Sequence, residues 1–389
     1  YTTLFRSAPA PGRLIAAWAR SAVPGAREGG NKFDLDRWDP AYFARLKDFL
    51  RQAAKRGVVV ELALFCPYYR DEMWELSPLH ARNNVNGVGD GKRTRVLTLD
   101  DARLLAVQES MVRKIAGELR SFDNLIYEIC NEPYIEKMAA PEWEARIAAV
   151  IREAGGGAHL ISQNIANGSV KIARPNPLVS LFNFHYSRPP ESVAMNYALN
   201  KAIGNNETGF DGTADAVYRI QGWDFLLAGG ALYNNLDYSF ALGHEDGSFT
   251  VAPGQPGGGG AALRRQLGIL RRFMDGLDFV RMKPAPVVAA VSPAGASVRA
   301  LAREGQAYAI YVHHGRPAKP RYQVDAAVQH VSVTLDLPAG KYAARWIDTR
   351  TAAVARRESF SHSGGPREIA SPDYTEDIAL SLAATSSAP

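Results

Sequence analysis

Between Trp38 and Leu277 the sequence alternates between stretches with apolar residues at three- and four-residue spacing and short runs of β-branched or aromatic residues. No other feature narrows the fold as far, because strands joined through helices pair in parallel, and parallel sheets need cover on both faces. The first helical stretch, 38–55, puts Tyr42, Phe43, Leu46, Phe49, Leu50 and Ala53 on one stripe, opens on Asp39-Pro40 and stops at Gly57. The β-branched run at 58–65 follows at once and reads as a buried strand. The same spacing predicts helix 101–119, strand 124–130, helix 141–154, strands 159–165, 178–185 and 201–207, helix 213–228, strand 231–236 and helix 261–277. So many βα units favour a closed (β/α)8 TIM barrel over an open doubly wound sheet, and no Gly-x-Gly-x-x-Gly follows the first strand. The glycine run at 253–260 is a flexible loop, since no strand runs into it.

Counting the short segment 1–5, seven strands are visible where the barrel needs eight. With 1–5 as the second strand, 124–130 becomes the fourth and 201–207 the seventh, and the first strand is expected upstream of this chain. The alternative is a barrel closed by a segment without a strand signature. Past about Lys283 the helical period vanishes, and proline-bounded alternating segments follow at 287–291, 298–302, 308–313, 331–337, 342–347 and 378–382. They predict a C-terminal antiparallel β-sandwich, so the expected domains are a catalytic barrel over 1–283 and a sandwich over 284–389.

Charge and composition exclude several classes of function. The 45 basic and 40 acidic residues are scattered, with no run of like charges, and the net charge of +5 reads as solubility rather than nucleic-acid binding. No apolar stretch reaches the roughly 18 residues that cross a bilayer, so no membrane partner is expected, and no signal peptide opens the chain. Two cysteines, Cys66 and Cys130, make neither a disulfide framework nor a zinc site. The eight histidines are scattered without an H-x-H pair, which disfavours a metal-dependent barrel hydrolase; neither a metal nor an organic cofactor is expected.

The chemistry is concentrated at two strand ends. Leu-Ile-Tyr-Glu-Ile-Cys runs directly into Asn131-Glu132-Pro133, so Glu132 stands where a barrel strand delivers a side chain to the mouth, and Pro133 ends the strand by removing a ladder donor. Three strands later Glu207 closes 201–207 just before Thr208-Gly209. Cleaving a glycosidic bond needs one carboxylic acid to protonate the leaving oxygen and one carboxylate to attack the anomeric carbon, at about 5–5.5 Å in a retaining enzyme. Ionisation of one such glutamate favours retention of the proton by the other, and the charge of the attacker disappears once the glycosyl-enzyme forms. Alternation along 178–185 puts Asn183 and His185 on the inward face; Tyr186 joins them only if a bulge turns it. Tyr233, Asn235 and Asp237 alternate along the last barrel strand. The loop 66–96, about 30 residues, carries Tyr68, Tyr69, Trp74, His80, Asn83, Asn84 and Asn86, the aromatic and amide side chains a carbohydrate cleft uses, although each aromatic is equally suited to packing the loop. Glu61 and Glu128 point into the barrel below that layer and need polar partners.

Asn131-Glu132-Pro133 at the fourth strand end, with Asn206-Glu207-Thr208-Gly209 at the seventh, resembles clan A of the glycoside hydrolases, the cellulase-like, family 5-like barrels. The resemblance covers roughly residues 1–277. It implies a retaining β-glycosidase acting on a poly- or oligosaccharide, secreted or periplasmic, with Glu132 as acid/base, Glu207 as nucleophile and Asn131 as a partner of the substrate 2-hydroxyl. It also implies a histidine and a tyrosine beside the nucleophile, here His185 and Tyr186. Relatives carry an arginine in the second strand where this chain has Thr3, which makes Arg6 the candidate replacement. The tryptophan of the eighth strand and the paired histidines after the third are absent, leaving Tyr233 and Asn235 as candidate sugar ligands. The Arg345–Thr351 stretch is similar to the Trp-Asp-x-x-Thr turn of sandwiches attached to such hydrolases. The alternative function is a catalytically inactive carbohydrate-binding protein on a barrel scaffold, which predicts loss of one glutamate, whereas both are present.

Overall fold

The computed structural model describes residues 12–155 and 157–385. Six parallel strands follow one another in chain order: β3 (Val60–Phe65), β4 (Leu125–Cys130), β5 (Leu160–Asn167), β6 (Leu181–His185), β7 (Ala202–Glu207) and β8 (Leu232–Tyr233). They are preceded by an antiparallel hairpin of β1 (Trp18–Pro24) and β2 (Asn31–Trp38). The sequence reading assigned nothing to this stretch, although Phe33 and Leu35 alternate inward and Trp18 stacks on Trp38 at 6.2 Å. The hairpin's turn relies on Gly25 and Gly29 at φ 101° and 92°, a region open to glycine. The predicted strand 1–5 and Arg6 lie outside the described residues.

The helices form where their caps and stripes put them. α1 (Pro40–Ala54) starts on Asp39, whose carboxylate accepts from the Ala41 amide, a cap that contributes about 1 kcal/mol. α2 (Asp71–Glu75) is a single turn inside the loop after β3. α3 (Ala102–Glu118) is capped by Asp101 through the Arg103 and Leu104 amides. α4 (Pro141–Gly155), α5 (Glu191–Asn196), α6 (Asp215–Leu227) and α7 (Ala261–Asp275) complete the set. Predicted boundaries match to within a few residues, except that strand 231–236 shrinks to the two residues of β8.

The described residues pack as two compact units, one within 1–166 together with Ile172–Asn183, the other Asn167–Lys171 together with the described part of 184–389. In the first, β3 and β4 pair in parallel from Val60↔Leu125 to Phe65↔Cys130. Trp143 of α4 is fully buried against Phe65, and its indole nitrogen donates to Gln108 of α3 at 2.8 Å. Glu61 finds the partners its interior position requires, accepting from Ser162 and Asn183, each at 2.6 Å.

Glu144 of α4 is 7 % exposed; burial pushes its carboxyl up to about 7, against the opposing hydrogen bond from Gln163. A carboxyl that binds its proton more tightly folded than unfolded contributes fully at low pH, and that contribution is lost as pH rises through the folded value. Unfolding free energy is therefore expected to fall by about 3 kcal/mol between pH 4.5 and 7.5, and Glu144→Gln to flatten the decline. Urea titrations across that range check it; identical slopes in both proteins would refute the assignment.

The second unit holds β7, β8, α5 to α7 and the C-terminal sheets. One antiparallel sheet orders Val354–His362, Gly340–Ile347, Asp377–Ala384, Ala307–His313, Ser297–Arg303 and Lys283–Pro284; another orders Val288–Ser292, Ser332–Leu337 and Gly365–Ala370. Their shared core includes Tyr308, Ile310, Val333, Leu335, Trp346 and Leu380. Val354–His362 and Gly365–Ala370 went unpredicted because they are edge strands with largely exposed polar faces. A second apolar cluster joins Trp223 and Leu227 of α6 and Ile269 and Leu270 of α7 to Leu301, Tyr311 and Ala379 of the large sheet. The turn over 345–351 is structural: Asp348 accepts from the Arg350 and Thr351 amides, and the Thr349 hydroxyl donates to buried Asp377 at 2.7 Å.

Candidate active site

In the first unit, the β4 ladder runs one residue past the strand, through the Asn131 amide to the Phe65 carbonyl, and then breaks. Glu132 adopts φ 44°, a left-handed conformation that costs a side-chain-bearing residue about 1–2 kcal/mol and therefore marks a position held by its surroundings. Its carbonyl accepts from the Ile135 amide to close a tight turn. Its Oε2 accepts from the Tyr69 hydroxyl at 2.6 Å. Asn131, 8 % exposed, donates through Nδ2 to the Tyr69 oxygen at 3.2 Å and reaches Cys66 Sγ at 3.9 Å. Burial, then the neighbouring Cys66 and Glu132, holds the Tyr69 hydroxyl far above the usual phenol range. Burial likewise pushes the Cys130 thiol well up, so it packs as a small apolar group.

Several expected sugar ligands from the loop after β3 serve the loop itself. Trp74 is 4 % exposed, donates to the Gly91 carbonyl and packs between Tyr68 and His80. Tyr68 hydrogen bonds to Ser77 at 2.7 Å, and burial raises its hydroxyl to about 12. Asn83, Asn84 and Asn86 pin backbone groups, Asn84 alone donating to the carbonyls of Pro78, His80 and Val88. A long loop with only single helical turns leaves backbone groups to satisfy, and these amides satisfy several of them. Trp74 and Tyr68 are thus corrected to loop core, and Tyr69 is the aromatic of this loop that reaches a carboxylate. Asn183 is corrected too: it is fully buried, and its amide is committed to Glu61.

In the second unit, β7 delivers Glu207. Tyr186 donates to Glu207 Oε1 at 2.5 Å, and His185 Nδ1 stands 3.8 Å from the same oxygen. Adjacent residues of a strand cannot both face one group. Tyr186 escapes that rule through φ 53°, while its amide stays bonded to the Glu207 carbonyl at 2.8 Å. The left-handed residue plays the part expected of a bulge. Arg188, which sequence reasoning missed, lies over the Tyr186 ring at 5.4 Å and pairs with buried Asp211 at 2.5 Å; Asp211 also accepts from Gln221. Phe210, another left-handed residue at φ 61°, is 40 % exposed and sits 6.0 Å from Tyr186 and 6.2 Å from Tyr238.

Tyr233, expected to face the sugar, is engaged within the fold: its hydroxyl donates to the Tyr218 carbonyl at 2.8 Å and meets Thr208 Oγ1 at 3.2 Å, and its ring packs beneath Gly222 of α6. A two-residue β8 ends the alternation that would have turned it inward. Asn235, half-buried, donates to the neighbouring Leu236 carbonyl at 3.4 Å.

Residues 12–203 match the family model described as Cellulase (glycosyl hydrolase family 5). Over these residues, just under half of the chain, the sequence resembles a family 5 glycoside hydrolase domain. Over 95% of its length it aligns with a Bacteroides vulgatus ATCC 8482 protein assigned as a glycoside hydrolase, at 16% identity, covering 69% of that protein, TM-score 0.64. A glycoside hydrolase family 5 protein from the same organism aligns at 13% identity over 88% of this chain and 74% of its own, TM-score 0.59. A third structure, described as a glycoside hydrolase, aligns at 15% identity over 88% and 77%, TM-score 0.58. At these identities the likeness is one of fold. No curated protein matches the chain. No helix among the described residues is long and apolar enough to cross a membrane.

Proposed function

We propose that this chain is a retaining glycoside hydrolase that cleaves β-glycosidic bonds in a poly- or oligosaccharide by double displacement. Glu132 is the acid/base and Glu207 the nucleophile, on a (β/α)8 barrel over 1–283 to which the sandwich over 284–389 is fastened as a packing partner. The observation that carries the reading is that each strand-end glutamate has hydrogen-bond support suited to its role. Glu207 receives the Tyr186 hydroxyl, which fixes the orientation an attacking carboxylate needs, and Glu132 is held by a phenol that keeps its own proton. The family 5 match over 12–203 supports the same chemistry.

In the first half-reaction Glu207 bonds to the anomeric carbon as the glycosidic bond breaks, its electron pair leaving with the oxygen that takes the proton of Glu132. In the second, Glu132 takes a proton from water, which attacks the same carbon and releases Glu207. Asn131 supplies the 2-hydroxyl contact and His185 orients Glu207. Secretion to the periplasm or beyond fits a substrate too large to enter the cell.

A panel of aryl β-glycosides and β-glucans tests the reading. Wild type is expected to release the product initially as the β-anomer, seen by proton NMR, and Glu132→Gln to lose on the order of 10²–10⁴-fold in rate on unactivated substrates. Initial release of the α-anomer would make the enzyme inverting and overturn the double displacement.

A further inference from the structure

The hydrogen bonds around Tyr69 have a fixed direction. Asn131 Nδ2 can only give protons, and it gives one to the Tyr69 oxygen at 3.2 Å; the Cys66 thiol donates to the same oxygen at 3.4 Å. Tyr69 has a single proton of its own, and Glu132 Oε2 lies at 2.6 Å to receive it. Half-buried and surrounded by groups that oppose its ionisation, the phenol keeps that proton. A carboxylic acid whose proton sat on Oε2 would set two hydrogens against each other across that short contact.

We propose that Tyr69 is a positioning residue that confines the acidic proton of Glu132 to Oε1, making Oε1 the atom that protonates the leaving glycosidic oxygen. The inference rests on the reading of Glu132 as acid/base. The proton leaves Oε1 for the glycosidic oxygen as that oxygen takes the bonding pair from the anomeric carbon. The negative charge left on Glu132 remains hydrogen-bonded at Oε2 by Tyr69. When water attacks the glycosyl-enzyme, its proton returns to Oε1 and the cycle closes without another co-reactant. Tyr69 comes from the loop after β3, so one residue of that loop sets the proton's place on a side chain from β4.

Two measurements test the proposal. The first compares Tyr69→Phe with wild type on two β-glycosides of the same sugar, one with a 2,4-dinitrophenyl leaving group and one with an alkyl leaving group. The nitrophenolate departs without a proton, so kcat/KM is expected to stay within about threefold there and to fall roughly ten- to a hundredfold on the alkyl glycoside, part of the full general-acid contribution. A structural role would lower both alike, and equal losses overturn the proposal. Tyr69→Phe keeps the packed ring, and a thermal melt matching wild type confirms that it folds. The second measurement is a neutron structure of the wild-type chain at a pH where Glu132 is protonated. Deuterium on Oε1, with the Tyr69 deuterium directed at Oε2, supports the proposal; deuterium on Oε2 overturns it. This result does not depend on turnover. A wild type that cleaves nothing in the glycoside panel defeats the glycosidase reading, while the neutron result still decides where the proton sits.

Discussion

Replacing Glu207 by glycine is expected to lower kcat on an activated aryl β-glycoside by on the order of 10⁴-fold or more, the scale reached when a covalent nucleophile is removed. The loss corresponds to roughly 5 kcal/mol of transition-state stabilisation. Glycine leaves a hole where the carboxylate stood, and azide added to the assay should enter it. Azide then attacks from the face Glu207 occupied, so a single inversion yields the α-glycosyl azide. Glu132→Ala behaves oppositely on the same substrate. The glycosyl-enzyme still forms, azide attacks from the other face, and the β-glycosyl azide results. The two anomers, distinguished by proton coupling constants, assign the roles independently of how large either loss is. Undiminished turnover in the Glu207 variant would require another nucleophile. Tyr186 belongs to the same argument, because its short bond to Oε1 restrains the Glu207 carboxylate.

Arg219→Ala should destabilise the second unit by about 3–5 kcal/mol, the usual consequence of stripping one partner from a buried ion pair. Arg219 of α6 is 1 % exposed and gives Asp377 bonds of 2.5 and 3.0 Å, Glu376 one of 2.6 Å and Gln266 one of 2.7 Å. Asp377 also accepts from Tyr311 at 2.9 Å and Thr349 at 2.7 Å. Burial works against the guanidinium charge, yet Asp377 and Glu376 hold its pKa above the ordinary arginine value. Removing the arginine leaves the Asp377 carboxylate, itself 4 % exposed, without a counter-charge. Denaturant unfolding monitored through tryptophan fluorescence reads the loss, since Trp223 stacks on Tyr311 at 5.4 Å beside this network. A loss below about 1 kcal/mol would show that the pair is already solvated or replaceable by its neighbours.

The network also gives the C-terminal sheets a physical role. Asp224 of α6 pairs with Arg299 at 2.7 Å and lies 3.4 Å from His313, so an ion pair, a histidine contact and the apolar cluster around Trp223 join α6 and α7 to the large antiparallel sheet within one compact unit. The alternating texture after Lys283 correctly marked where helices stop. Composition carries no record of which buried charges will meet, and neither Arg219 nor Asp377 was singled out in the sequence.

The local signals that survived into the fold are those the chain enforces within a few residues: Asp39-Pro40 opening α1, Asp101 capping α3, the buried run that becomes β4, and the proline that ends it at Glu132. The two glutamates were legible for the same reason, since a strand followed at once by a carboxylate leaves little freedom in where that side chain begins. His185 was readable from alternation, and Tyr186 became readable only with a left-handed residue that no periodicity announces. Choices that depend on distant partners went the other way. Trp74, Tyr68 and Tyr233 have the chemistry of sugar platforms, but tertiary packing turns each towards a backbone carbonyl or a hydroxyl that needed a partner. Asn183 lies on the inward face as its spacing requires, one layer too deep, where Glu61 claims its amide. Tyr69, indistinguishable in sequence from its neighbour Tyr68, reaches Glu132 because the loop after β3 folds back across the end of β4. By itself the sequence determined which strand ends carry carboxylates, because strand direction and side-chain alternation are local properties of the backbone. The tertiary structure alone decided which hydroxyl holds which oxygen, because a hydrogen bond depends on two groups from separate parts of the chain arriving within about 3 Å of one another.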